Sequence, residues 1–464
     1  MVFSSAIFLL AFLPIVFVVN SILPHKWSNV FLLVASLFFY AWGEPVYCIL
    51  MVATIVFNWI IGMGIQTEII NRKLCLIIGI LGDVLILGYF KYAVFLSGIV
   101  NTAFGRNIVN VGSIALPIGI SFFTFQAISY IVDVYRGQTQ ASGNIINVAL
   151  YISYFPQLIA GPIVKYKEIN SQIEERTITS SGVAAGFRRF IYGLSKKVII
   201  ANILGKSADI IFDYDLSTIG MKTAWIGAIV YTLQIYYDFS GYSDMAIGLG
   251  QMFGFDIPEN FNLPYLSRSV SEFWRRWHMS LGSWFREYVY IPLGGNRKGN
   301  RRTLINLFIV FFLTGLWHGA SFSFIAWGLW HGILSIIERK GLDRYLQKYK
   351  VLSHIYLLMA VTIGWVIFRI NNLPRAFMWI VKMFNVPSLF GSDIACGYYM
   401  NNITIFVLIV AVLGCGVVRK LLWERFNWKW KNTYIEWVAC AILLVLSISC
   451  IAGDTYNPFI YFNF

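Results

Sequence analysis

Two histidines sit where proton chemistry is possible: His278 in "FWRRWHMSLGSWFREYVYIPLGG" and His318 in "LTGLWHGASF". The chain has only five histidines, and no charged residue occurs from Leu304 to Ile337, around His318. An imidazole titrates near neutrality, so it can take a proton from a hydroxyl and hand it on. An ionisable side chain in so apolar a run is costly, and its default reading is functional. The competing reading of His318 is a buried histidine donating to a carbonyl across helices. The glycine after it and the implied helix break argue against packing alone. For His278 the competing reading is an interfacial helix anchored by Arg275, Arg276 and Trp277. His331, beyond "WGLW", reads as structural, and His25 and His354, near loop ends, carry no signal.

Spacing excludes several other chemistries. There is no GxSxG nucleophile elbow. No HExxH or two-histidine helical spacing is present, and the six cysteines are scattered without a CxxC pair, so no metal is expected. The soluble acyltransferase pattern, a histidine with aspartate five residues later, is absent because Ser283 and Ser323 occupy those places. A Walker-type phosphate loop is missing too, which argues against a nucleotide-driven pump.

The elements that must position these histidines are membrane helices. Of 464 residues, 58% are hydrophobic and 12% charged, about half the charged fraction of a soluble domain. Long, continuous apolar runs predict helices, since a bilayer core leaves backbone groups no water to bond. Spans are predicted at about 3–22, 29–42, 46–64, 74–97, 114–135, 146–164, 186–212, 224–252, 303–317, 321–338, 353–370, 402–419 and 433–452. The opening "MVFSSAIFLLAFLPIVFVVN" lacks a basic n-region and cleavage site and reads as a retained first span. No linker, low-complexity tract or repeat is evident, so residues 1–464 read as one integral-membrane domain. The net charge of +14 reflects basic loops between spans rather than nucleic-acid binding. Two intervals depart from the pattern: 256–302, amphipathic and aromatic, and the shorter mixed stretch 371–401.

The segments "GGNRKGNRR", "ERKGLDRYLQKYK" and "RKLLWERFNWKWK" are strongly basic and predicted cytoplasmic. Helices 303–317 and 321–338 then form a hairpin entering and leaving on that side, with His318-Gly319-Ala320 at its apex. Residues 353–370, 402–419 and 433–452 cross in turn and leave the C-terminal tail outside.

The two histidine motifs, with "PIGISFFTFQAISYIVDVYRG", "YFPQLIAGPIVKY" and "YYDFSGYSDMAIGLG", resemble the membrane-bound O-acyltransferases over nearly the whole chain. The branch resembled is that of bacterial alginate and peptidoglycan O-acetylation proteins, with the teichoic acid D-alanyl transferase more distant. The resemblance implies an all-α polytopic protein: a ring of about 11–13 spans and re-entrant segments around a central tunnel. It implies a cytoplasmic thioester donor, acetyl-CoA in the acetylation branch, and an extracellular polysaccharide or a partner acetyltransferase as acceptor. The family's invariant histidine maps onto His318 and its second motif histidine onto His278.

That reading assigns His318 as general base or proton shuttle and His278 to the donor side of the reaction. Arg275, Arg276 and Arg286 either meet anionic donor groups or anchor the inner face. Asp238 and Asp244 either orient an imidazole or line the tunnel, or they bond helix to helix. In the tail "GDTYNPFIYFNF", Tyr461 either docks as part of an aromatic plug or carries the acyl group transiently. The carrier role rests on resemblance to the small partner of the D-alanylation system. A D-alanyl transferase and a non-catalytic acyl or lipid-linked-sugar transporter are the alternative functions. The implied location is a bacterial cytoplasmic membrane, crossed many times.

Overall fold

The structure, a computed structural model, describes residues 1–68, 71–389, 393–418, 434–453 and 456–458. Among the described residues the chain is helical, and the one extended pairing is an antiparallel bridge between Phe261 and Trp277. Among the described residues, four helices are long and apolar enough to cross a membrane: Pro45–Thr67, Arg72–Phe104, Lys350–Arg369 and Tyr434–Gly453. The protein is thus an all-α polytopic membrane protein. Its described residues pack as two compact units, Met1–Phe190 with Ser243–Pro258, and Ile191–Tyr242 with Glu259–Phe464.

In the first unit, Asn71 caps the Arg72–Phe104 helix by accepting from the amides of Lys73 and Leu74, a contact worth about 1 kcal/mol. Gly105, at φ 63°, closes its other end. The 33 residues give about 50 Å of helix, more than a bilayer core needs. One face buries Cys75, Gly79, Asp83, Leu87 and Lys91 at every fourth position, while Leu74, Ile77, Ile78, Leu81 and Leu85 lie exposed. A helix in water would turn the other way. Here lipid meets the leucines and the polar groups find partners inside: Asn58 Nδ2 donates to Asp83 at 2.9 Å and Lys91 Nζ to Ser121 at 3.0 Å. Phe3, Phe8, Phe12, Phe39 and Phe155 form the unit's aromatic core, with centroids such as Phe12–Phe155 5.4 Å apart.

The helix predicted from 114 starts at Ile120, because Gly119 adopts a left-handed φ of 76° against the Leu158 carbonyl. The span predicted at 146–164 is broken. Ile145–Ser153 ends where Tyr154 turns extended, and a single turn, Phe155–Leu158, follows with Pro156 in its first positions.

In the second unit, Gly299–His318 and Phe322–Ile337 form the predicted hairpin, packed backbone to backbone. A Cβ on Gly315 would lie 2.5 Å from the Phe324 carbonyl oxygen, and one on Gly328 2.4 Å from that of Phe311. Small residues at such contacts are how membrane helices associate closely, and any larger side chain here forces the pair apart. The interval 256–302 folds as short helices, Val270–Arg276 and Met279–Phe285, followed by a wide turn over Arg286–Tyr290. Within 371–401 lies an amphipathic helix, Leu373–Met383, whose buried Trp379 stacks on Phe212 at 4.4 Å.

Candidate functional site

His318 is the last residue of its helix, and Gly319 continues in extended conformation. Ser321 starts the return helix by accepting from the Phe324 amide. The apex is too tight for a side chain at Gly319, whose Cβ would lie 2.3 Å from the Phe324 ring. The His318 ring, 2% exposed, stands edge-on to Trp317 and Trp327, each at 4.8 Å, and to Phe368 at 5.3 Å. Aromatic rings thus pack around it.

His278 is held by hydrogen bonds and by its backbone. The Phe261–Trp277 bridge brings residues 260–262 alongside 276–279, with Asn262 N donating to Arg276 O at 2.9 Å and Met279 N to Asn260 O at 3.0 Å. This forces His278 into the left-handed region, at φ 46° and ψ 52°, a strained conformation for a residue with a side chain. Its Nδ1 lies 3.1 Å from the side-chain oxygen of Asn260, which also accepts from the Ser280 amide and hydroxyl. The start of this segment is pinned by Glu338, a buried carboxylate accepting from the amides of Val270 and Ser271 and the hydroxyls of Ser271 and Tyr356.

The two predicted histidines meet around one residue. The Trp317 ring lies 4.8 Å from His318 and 5.9 Å from His278, and Phe239 closes the other side of His278 at 4.6 Å, edge to face. Sequence reasoning missed Trp317, Asn260 and Glu338. The one signal, and toward Asn260 alone, was that 256–302 is too aromatic for a plain loop.

The remaining predicted residues are less concentrated. Arg275 and Arg276 end the Val270–Arg276 helix that runs directly into His278; Arg276 pairs with Glu272 at 2.8 Å, whereas Arg275 and Arg286 are exposed. Asp238 makes a buried ion pair with Lys197 at 2.6 Å, adjacent in sequence to Phe239. Asp244 pairs with Arg189 at 2.9 Å in the first unit. Tyr461 lies outside the described residues. The segment before it is anchored in the second unit: Tyr456 donates its hydroxyl to Asp209, which also pairs with Arg369, and Lys197 Nζ donates to the Pro458 carbonyl.

Two buried imidazoles thus lie around one indole, one at a helix-breaking apex and one on a strained turn. Residues 138–379, which contain the whole of this arrangement, match the model of the membrane-bound O-acyltransferase family. The chain belongs to that family, and its activity is O-acyl transfer. It is 41% identical to the probable alginate O-acetylase AlgI of Pseudomonas putida, over 100% of both chains. It is 32% identical to the peptidoglycan O-acetyltransferase of Helicobacter pylori, covering 100% of this chain and 98% of that one. Similarity to the teichoic acid D-alanyltransferase of Bacillus subtilis is 29%, over 50% of this chain and 61% of the relative.

Proposed function

We propose that the protein O-acetylates an extracellular or cell-wall polysaccharide, directly or through a partner acetyltransferase, drawing the acetyl group from a cytoplasmic thioester such as acetyl-CoA. In this reading residues 1–464 act as one acyltransferase domain in a bacterial cytoplasmic membrane crossed many times, its helices ringing a tunnel. The carrying observation is the pair of buried histidines around Trp317. The full-length similarity to proteins named for O-acetylation supports the choice of acyl group.

In the reaction, a hydroxyl oxygen attacks the thioester carbonyl carbon, the new C–O bond forms and the C–S bond breaks. His318 serves as general base or proton shuttle for the hydroxyl proton, which must finally reach the leaving sulfur. The aromatic walls keep water from the thioester, a site property a cytosolic enzyme would need a lid to achieve. Exposed Arg275 and Arg286, with Arg276 beside them, meet the anionic part of the donor at the inner face. Tyr461 is the acyl relay: an aryl ester transfers its acyl group onward more readily than an alkyl one, because a phenolate leaves more easily.

Purified protein supplied with radiolabelled acetyl-CoA and acceptor polymer tests the reading. Labelled polymer is expected; a transporter would give no covalent product. Tyr461→Phe keeps the aromatic ring and should abolish labelling through the tail, and wild-type transfer by that variant would remove the relay. A cysteine introduced at Lys298 should react only with reagent on the cytoplasmic side, and labelling from outside would reverse the direction of transfer.

A further inference from the structure

We propose that Asn260 is a positioning residue that fixes the tautomer of His278, holding its proton on Nδ1 and presenting its lone pair at Nε2. The step rests on the acyl-transfer reading above, but the tautomer itself does not. The Ser280 N–H can only donate, and it points at the Asn260 side-chain oxygen at 3.3 Å. Turning the amide group over would set an NH2 against that N–H, donor against donor. The atom facing Ser280 is therefore the oxygen, and it is the same oxygen that lies 3.1 Å from His278 Nδ1. An oxygen of that kind accepts and never donates, so Nδ1 must carry the hydrogen. In a neutral imidazole that leaves Nε2 as the basic nitrogen.

The surroundings make this assignment rigid. Asn260 is 0% exposed, and its own carbonyl accepts from Met279 N at 3.0 Å, so it grips His278 itself and the two residues that follow it. The strained backbone at His278 is held by these same contacts, and strain of that kind persists only where neighbours over-determine it. A neutral partner also matters. Asparagine orients the ring without the negative charge that would stabilise the imidazolium, so the histidine stays ready to accept.

In the transfer, Nε2 of His278 is then the atom that receives hydrogen. The proton that His318 takes from the attacking hydroxyl is relayed through Nε2 of His278 to the leaving thiolate, giving a thiol as the C–S bond breaks and the ester C–O bond forms. This gives the donor-side histidine a defined act: it must take a proton before it can give one. Charged and titratable groups stand around it among the described residues. They are His318 beyond Trp317, the Asp238–Lys197 pair next to Phe239, the Arg276–Glu272 pair on the preceding helix, and exposed Glu259 beside Asn260.

Two measurements test it. Nitrogen-15 histidine labelling of the protein in nanodiscs, with His278→Gln identifying the resonance, should show Nδ1–H in the wild type. Kinetically, Asn260→Asp keeps the shape and adds a charge that favours the imidazolium. The acid limb of its kcat profile should therefore move up by about one pH unit or more. Asn260→Leu should lower kcat by roughly tenfold to a hundredfold, and should add nothing further in a His278→Gln background. A wild-type Nε2–H resonance overturns the proposal, as does an unmoved pH profile in a folded Asn260→Asp variant. If the wild type transfers no acyl group at all, the functional reading fails while the tautomer readout still decides the role of Asn260.

Discussion

His318 and His331 lie on the same hairpin, both are buried, and both press against Trp327, at 4.8 and 5.3 Å. Their aromatic surroundings are alike. The difference is in the backbone. His318 ends a helix, beside a glycine that lets the chain turn away. His331 lies within the Phe322–Ile337 helix, walled by Phe273, Trp274 and Trp365, with Gly364 so close that a Cβ there would fall 2.7 Å from Nε2. Neither ring nitrogen of His331 has a hydrogen-bond partner among the described residues. An imidazole does chemistry only where a substrate can reach it, and a helix end leaves an approach that a mid-helix position closes.

The largest expected effect tests this directly. His318→Ala should leave the protein folded and inserted while lowering turnover by roughly a hundredfold or more, the loss typical of a positioned acid-base group. Turnover within a few-fold of wild type would remove the assignment. His331→Ala should do the reverse: a stability loss of about 2–4 kcal/mol from the cavity, seen as a lowered Tm in detergent, with kcat within a few-fold. If the His331 variant instead loses turnover at unchanged Tm, the contrast between the two positions fails.

The hairpin apex was legible because a charge-free run interrupted by His318-Gly319 has few other readings. Both histidines stand out by their neighbours in sequence. What could not be read was how they are held. Asn260 reaches His278 across a bridge between two irregular segments, and no periodicity marks such a pairing. Trp317 was one tryptophan among 16 until the structure set it between two imidazoles. The late start at Ile120 and the break at Tyr154 were hidden for a related reason: hydropathy is continuous there, and the interruption lies in the backbone of Gly119 and Pro156.

A second contrast separates binding from chemistry. Arg275 and Arg276 share the segment that carries His278, but they stand at its polar edge, and Arg276 is already occupied by Glu272. Replacing both by Gln should raise the donor KM by roughly tenfold, equivalent to about 1.4 kcal/mol of lost binding, with kcat little changed. An unchanged KM with a collapsed kcat would move the arginines into the chemical step.

The smallest effect concerns a polar group with every bond supplied and no access to the reaction. Asp393 accepts from the amides of Gly220, Thr223 and Ile394 and from the Thr223 hydroxyl, the last at 2.7 Å, and so caps the start of the Met221–Met252 helix. Burial works against its charged form, but those four donors outweigh it and hold the carboxyl below the usual carboxylate range. Because the folded value lies below the unfolded one, about 3.9, its contribution is complete above that pH. It is lost as pH falls through the folded value. Asp393→Asn should therefore cost about 1 kcal/mol at pH 7, and the gap in Tm from wild type should narrow only below about pH 4. Turnover should stay within twofold throughout. A gap in Tm that opened instead of closing on acidification would mean that the donors favour the neutral acid, and that this end of the helix is held by something other than a carboxylate.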